Sequence, residues 1–297
     1  LWNVATGKEL DTLAGHTAAV SSVAYLSATA VVSGSADKTV LIQSIQPVWS
    51  LIAQLGADAT DPMKVGASPI SNRALCLDFS PDGKLLAVGG GDPSRSGEIM
   101  LWDVATGKVV RTFENAHSDT VLGLRFSPTG KSLLSGAADK FVKIFDVATG
   151  KFVKSFEGHT HHVLDVAWKA DESTIVSSGA DNVIKVWNIE TGEQIRTIAG
   201  YTKQVTSIAY LGLGDNIISG GGDKTVRMHL TTNGSNFRNL AGSTDYVYSV
   251  AGSRDEAIVI AGGEDGILRV WDAKTGALLN SFNPPAAPQN QQANAAK

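Results

Sequence analysis

Apolar and polar positions alternate with a period of two along most of the chain. Val163, Asp165 and Ala167 alternate with Leu164, Val166 and Trp168. Ile175-Val176-Ser177-Ser178 and Val183-Ile184-Lys185-Val186-Trp187 are short runs rich in β-branched residues. This period fits strands, because successive side chains on a strand point to opposite faces. Turn phrases separate the runs: Ser80-Pro81-Asp82-Gly83, Ser127-Pro128-Thr129-Gly130 and a series of Thr-Gly pairs. Thr-Gly suits a hairpin whose glycine takes a positive φ. The pattern predicts short antiparallel strands in groups of four, a to d, with almost no room for helix.

The groups repeat. Leu1-Trp2-Asn3-Val4-Ala5-Thr6-Gly7-Lys8 recurs as Leu101-Trp102-Asp103-Val104-Ala105-Thr106-Gly107-Lys108 and as Ile144-Phe145-Asp146-Val147-Ala148-Thr149-Gly150-Lys151. Weaker copies centre on Trp187 and Trp271, and degenerate ones on Gln43 and His229. The period is about 42 residues, with one interval about 17 longer. A second landmark keeps step: Gly15-His16, Ala116-His117 and Gly158-His159, with Tyr201 and Ser243 in the same slot of later copies. Asp37, Asp139, Asp181, Asp223 and Asp265 follow at a near-constant distance.

Gly-His, a Ser-Gly-x-x-Asp strand end and Trp-Asp at this period resemble the WD40-repeat family over residues 1–282. The resemblance implies an all-β chain, a β-propeller of four-stranded antiparallel blades around a channel, strand a innermost. Counting slots gives seven blades, the first incomplete with strands c and d only. The expectation is that its a and b strands lie upstream, in a longer protein of which this is the C-terminal part. A six-bladed ring with a loose hairpin is the alternative. Residues 283–297, rich in Pro, Gln, Asn and Ala, read as a disordered tail.

Composition narrows the function classes. The chain has 297 residues, a formal net charge of −4 and a single cysteine. One Cys excludes an intrachain disulfide framework and any Cys-cluster metal site. The mild acidic balance gives no support for strong nucleic-acid binding. No run of apolar residues is long enough for a membrane-spanning helix. A cytoplasmic location is the default expectation, or the cell envelope if an upstream signal peptide exists.

His159, Ser177 and Asp181 invite a catalytic-triad reading. The resemblance implies a structural tetrad of His159, Ser177, Asp181 and Trp187 instead, which ties the loop before strand a to strands b and c. The same slots recur partly as His16, Ser33 and Asp37 and as His117, Ser135 and Asp139, and a catalytic set would not be copied around a ring. No nucleophile elbow precedes these serines. His161-His162 does not chelate readily if strand alternation separates the two side chains. Gly89-Gly90-Gly91-Asp92 lacks the Gly-Lys-Ser/Thr of a phosphate loop. Cys76 reads as a structural inner-strand residue. No catalytic, cofactor-binding or metal-binding residue is expected.

The resemblance also implies a top rim, where the d–a loops and b–c turns meet. Three slots per blade would point there. The third residue after the His slot gives Ala19, Arg73, Thr120, His162, Gln204 and Tyr246, and the fifth gives Ser21, Leu75, Leu122, Leu164, Thr206 and Tyr248. The residue before the turn Asp gives Ala36, Gly91, Ala138, Ala180, Gly222 and Glu264. The inserted Pro93-Ser94-Arg95-Ser96 should project from the same face, beside the long connection Gly56 to Ser71. Arg73, Arg95, Leu122, His162, Leu164, Gln204, Tyr246, Tyr248 and Glu264 are therefore the candidate partner-binding residues. Aromatic and Arg side chains are the usual anchors of interfaces. The plainer alternative is that these side chains close the channel mouth.

The leading functional expectation is a non-enzymatic scaffold that binds a protein or peptide, monomeric by default. The alternative is an accessory or sensor domain of a larger enzyme, suggested by resemblance to bacterial WD40 domains in envelope proteins that carry c-type haem. A propeller oxidoreductase is disfavoured, because the inner strands repeat no acidic metal ligands.

Overall fold

A computed structural model describes residues 12–27, 30–35, 37–44, 55, 69–70 and 73–283. The strands expected for the first blade, the last strand expected for the second and the tail expected beyond Asn283 fall on residues outside those described, as does most of the Gly56 to Ser71 connection. The chain divides into two units, residues 1–53 and 54–297. Among the described residues there is no helix, and so none long and apolar enough to cross a membrane.

The first unit contains an antiparallel three-stranded sheet, β1 (Val20–Ser27), β2 (Ala30–Ser35) and β3 (Val40–Ser44). His16 bridges Asp37 and Ser33, at 2.9 Å and 2.8 Å.

The second unit is five four-stranded antiparallel sheets. They comprise β4 (Ala74–Phe79) to β7 (Lys108–His117), β8 (Val121–Phe126) to β11 (Phe152–Phe156), β12 (Val163–Trp168) to β15 (Gln194–Ile198), β16 (Val205–Tyr210) to β19 (Asn236–Leu240), and β20 (Val247–Gly252) to β23 (Leu278–Phe282). Each sheet is a meander in chain order, and the a strands β4, β8, β12, β16 and β20 pack in series. This is the blade architecture of a β-propeller.

Local chemistry explains the recurring phrases. In the c–d hairpin of the β4–β7 sheet, Asp103 Oδ1 accepts from the Thr106 amide and hydroxyl at 2.8 Å and 2.7 Å. Gly107 then closes the turn with φ +65°, a conformation that costs glycine least. Asp146 with Thr149 and Asp272 with Thr275 repeat the arrangement. The aspartate of Trp-Asp is thus an Asx-type turn former.

The core is not one mass but a set of seams. Ile99, Leu101 and Phe113 of the first of these sheets pack with Val121, Leu124 and Phe145 of the second. Leu134, Ile144 and Phe156 meet Val163, Val166 and Trp187 at the next seam. Val176, Val186 and Ile198 meet Val205, Ile208 and Ile217, and Leu211, Ile218 and Met228 meet Val247, Val250 and Trp271. The three middle sheets bury both faces against neighbours, so their strands lose the simple inside–outside alternation. Polar stitches cross the same seams. Buried Asp165 on β12 accepts from Ser207 Oγ at 3.0 Å and the Ile208 amide at 3.1 Å, both on β16. Asp78 on β4 accepts from the Phe126 amide on β8 at 2.7 Å.

Candidate functional site: the rim at the strand a entry

The rim is built by two devices that recur in all five sheets. The first is a β-bulge at the start of strand a. Register slips between Ala74 and Cys76, Val121 and Gly123, Val163 and Asp165, Val205 and Ser207, and Val247 and Ser249. The residue skipped is Leu75, Leu122, Leu164, Thr206 or Tyr248, the fifth-slot residue every time. A bulge leaves its extra residue unpaired and re-aims its side chain. The second device is a backbone hydrogen bond between the other two slots. The amides of Gly91, Ala138, Ala180, Gly222 and Glu264 donate to the carbonyls of Arg73, Thr120, His162, Gln204 and Tyr246, at 3.3, 2.9, 2.8, 2.9 and 2.8 Å. Slots far apart in sequence therefore sit side by side in each blade.

What these positions carry differs round the series. The β20–β23 sheet is the richest. The Tyr246 and Tyr248 rings lie 5.7 Å apart at 44°. The Tyr248 hydroxyl donates to the Glu264 carboxylate, and that bond holds the phenol above its ordinary pKa. Tyr248 is 55% exposed, so an aromatic face is held in water by a bonded tip. Tyr246 leans over the neighbouring blade, where a Cβ on Gly222 would lie 2.4 Å from Tyr246 Cζ. The small residue in that slot makes room for the ring.

Other candidates have different surroundings. Arg73 is exposed, while Leu122, His162, Leu164 and Gln204 are half-buried. Thr206 turns its hydroxyl to the Val247 carbonyl of the next blade and so stitches a seam. Thr120 is buried. Arg95 pairs with Asp92 at 3.1 Å at the tip of the lengthened β5–β6 hairpin, Leu85–Asp92 and Ser96–Asp103. That tip does not stand free, because the Ser94 amide donates to Asp119 Oδ1 at 2.8 Å in the next d–a loop. Burial works to raise the Asp119 carboxyl, but the Ser94 and Thr120 amides and nearby His162 outweigh it and hold it below its usual range. Sequence spacing gave no sign of Asp119, since it occupies none of the three slots.

His161 and His162 precede β12, so strand alternation does not separate them, and their rings lie 4.4 Å apart. Among the described residues no group of three His, Cys, Asp or Glu side chains is placed to hold a metal ion. Cys76 Sγ faces the Val121 carbonyl at 3.7 Å, and burial pushes the thiol up to about 12. A thiol so protonated is a poor nucleophile.

The triad-like residues are spent internally. His159 Nδ1 lies 2.9 Å from Asp181 Oδ2, and its Nε2 lies 2.8 Å from Ser177 Oγ. Trp187 Nε1 donates to the same Ser177 Oγ at 2.8 Å. His159, Ser177 and Trp187 are all buried. The Ser177 oxygen thus has both neighbours inside the blade and presents nothing to a substrate.

These repeated blades are matched by the family model for the WD domain, G-beta repeat (WD40), over residues 7–42, 68–103, 107–146, 150–188, 192–229 and 234–272. The chain belongs to the WD40-repeat family. It is 31% identical over 177 residues to the periodic tryptophan protein 2 homolog of Schizosaccharomyces pombe, covering 53% of this chain and 19% of that protein. It is 38% identical over 73 residues to the U3 small nucleolar RNA-associated protein 12 of Saccharomyces cerevisiae, covering 25% and 7%. It is 27% identical over 166 residues to the WD repeat-containing protein VIP3 of Arabidopsis thaliana, covering 51% and 47%. The matches span less than half the length of each of these relatives. All three are eukaryotic and lend no support to the bacterial resemblance. Family membership supports a protein-interaction scaffold.

Proposed function

We propose that the chain is a non-enzymatic scaffold that binds a peptide or protein segment on the rim at the strand a entry. The observation that carries this reading is the Tyr246, Tyr248 and Glu264 cluster. A bulge aims Tyr248 outward, Glu264 fixes its hydroxyl, and Gly222 admits the Tyr246 ring. Rigid aromatic side chains with a polar tip give large contact area at low entropic cost. Arg73, Arg95, His162 and Gln204, with Leu122 and Leu164, supply the polar and apolar contacts around this anchor.

One relative is named for association with a small nucleolar RNA. With a net charge of −4, this chain suits contact with the proteins of such an assembly better than direct contact with phosphate. The test is the binding of a captured partner to the wild type and to a double alanine variant at Tyr246 and Tyr248. The reading expects a loss of roughly tenfold or more, as for truncation of paired interface anchors.

A further inference from the structure

The same five a strands end in a second, chemically different surface. Phe79, Phe126, Trp168 and Tyr210 are the last residues of β4, β8, β12 and β16, while β20 ends in Gly252. Four blades thus close with an aromatic ring and the fifth with none. A groove of about 430 Å³ lies at these strand ends, lined also by Ala167, Leu213 and the two arginines 125 and 254. Phe79 and Leu213 are 53% and 57% exposed and Trp168 and Tyr210 are half-buried, while Phe126 is buried at the floor.

Charge in the groove is uneven. Arg125 is committed, with Nη1 on the Leu124 carbonyl at 2.8 Å and Nη2 at 3.2 Å from Asp165 Oδ1. Asp78 accepts the Phe126 amide, and burial pushes its carboxyl above the usual range. Arg254 stands at the edge, two residues past Gly252, exposed and, among the described residues, without a hydrogen bond or ion pair. An apolar, aromatic groove flanked by an unspent guanidinium is complementary to an apolar side chain next to a carboxylate.

We propose that this groove is a second docking surface, which takes a peptide segment with an aromatic side chain flanked by aspartate or glutamate. It lies at the opposite end of strand a from the rim, about 17 Å away for a six-residue strand. The chain would then hold two partners at once, one at each end of its inner strands. This inference does not depend on what binds the rim.

The probe is a fluorescein-labelled peptide with one phenylalanine between two pairs of aspartates, titrated by anisotropy against the full chain. Saturable binding is expected, weaker at high salt. Replacing the aspartates by asparagine, or the phenylalanine by alanine, should each weaken it by roughly tenfold. Leu213→Asp and Arg254→Glu, both at exposed positions, should do the same with unchanged thermal melts, while Tyr248→Ala should leave binding intact. The proposal is overturned by non-saturable binding, by equal binding to both groove variants, or by loss of binding in Tyr248→Ala alone, which would place the peptide on the rim.

Discussion

Four blades meet the same demand of the tetrad position with different chemistry. His159, Ser177, Asp181 and Trp187 form a complete network. In the β8–β11 sheet Phe145 replaces the Trp, and His117 and Ser135 bond at 2.7 Å without an indole. In the β16–β19 sheet Tyr201 bonds Ser219 at 2.6 Å, with buried His229 behind it. In the β4–β7 sheet the Ser slot is Val88, and the buried Trp102 Nε1 has no hydrogen-bond partner. A buried donor without an acceptor costs stability, and one with an acceptor adds to it. Trp187→Phe should therefore destabilise more than Trp102→Phe, by about 1 kcal/mol in urea unfolding. Equal losses would mean that the Ser177 bond adds nothing.

His229 carries the acid sensitivity. Burial, with help from the Arg227 charge, lowers it from 6.5 to about 4. The unfolded chain then binds its proton more readily than the folded one, so stability falls as pH drops through the interval from 6.5 to 4. Burial lowers His117 as well, which adds in the same direction. His229→Phe, which copies Phe145 in the equivalent slot, should flatten the stability profile across that interval. An unchanged slope in chemical unfolding at stepped pH would contradict the assignment.

At the scale of elements, the seams hold the blades in order. Asp165 is buried and serves two donors of the next a strand besides Arg125. Asp165→Ala would leave those groups unpaired and should cost about 3 kcal/mol. The loss should localise: amide exchange at Ile208 should accelerate more than exchange at Ile184, which lies within a blade. Gly222→Leu tests the rim as a built element. The added side chain must displace the Tyr246 ring, so partner binding should weaken while the melting temperature changes little.

The same elements show what the sequence could and could not reveal. Blade order and strand identity were legible because the Trp-Asp and Gly-His slots recur in step. The three rim slots were legible for the same reason. The bulge was not, because a one-residue slip changes pairing without changing the apolar pattern. Thr120 and Tyr246 hold the same slot, yet one is buried and the other opens onto the rim. That difference lies in neighbours from the preceding blade, such as the hairpin tip tied to Asp119 and the space over Gly222. The groove at the far strand ends escaped notice because its aromatic residues read as core.

At the scale of the molecule, the blades of the second unit present side chains from several strands on one rim. The anchor we propose there is an aromatic pair held by a carboxylate and a glycine. The most direct test is the affinity of a captured partner for the wild type and for the chain with alanine at Tyr246 and Tyr248, measured by isothermal titration. The account predicts a loss of roughly tenfold or more with the fold intact. Unchanged affinity would contradict it and leave the rim as no more than a closed channel mouth.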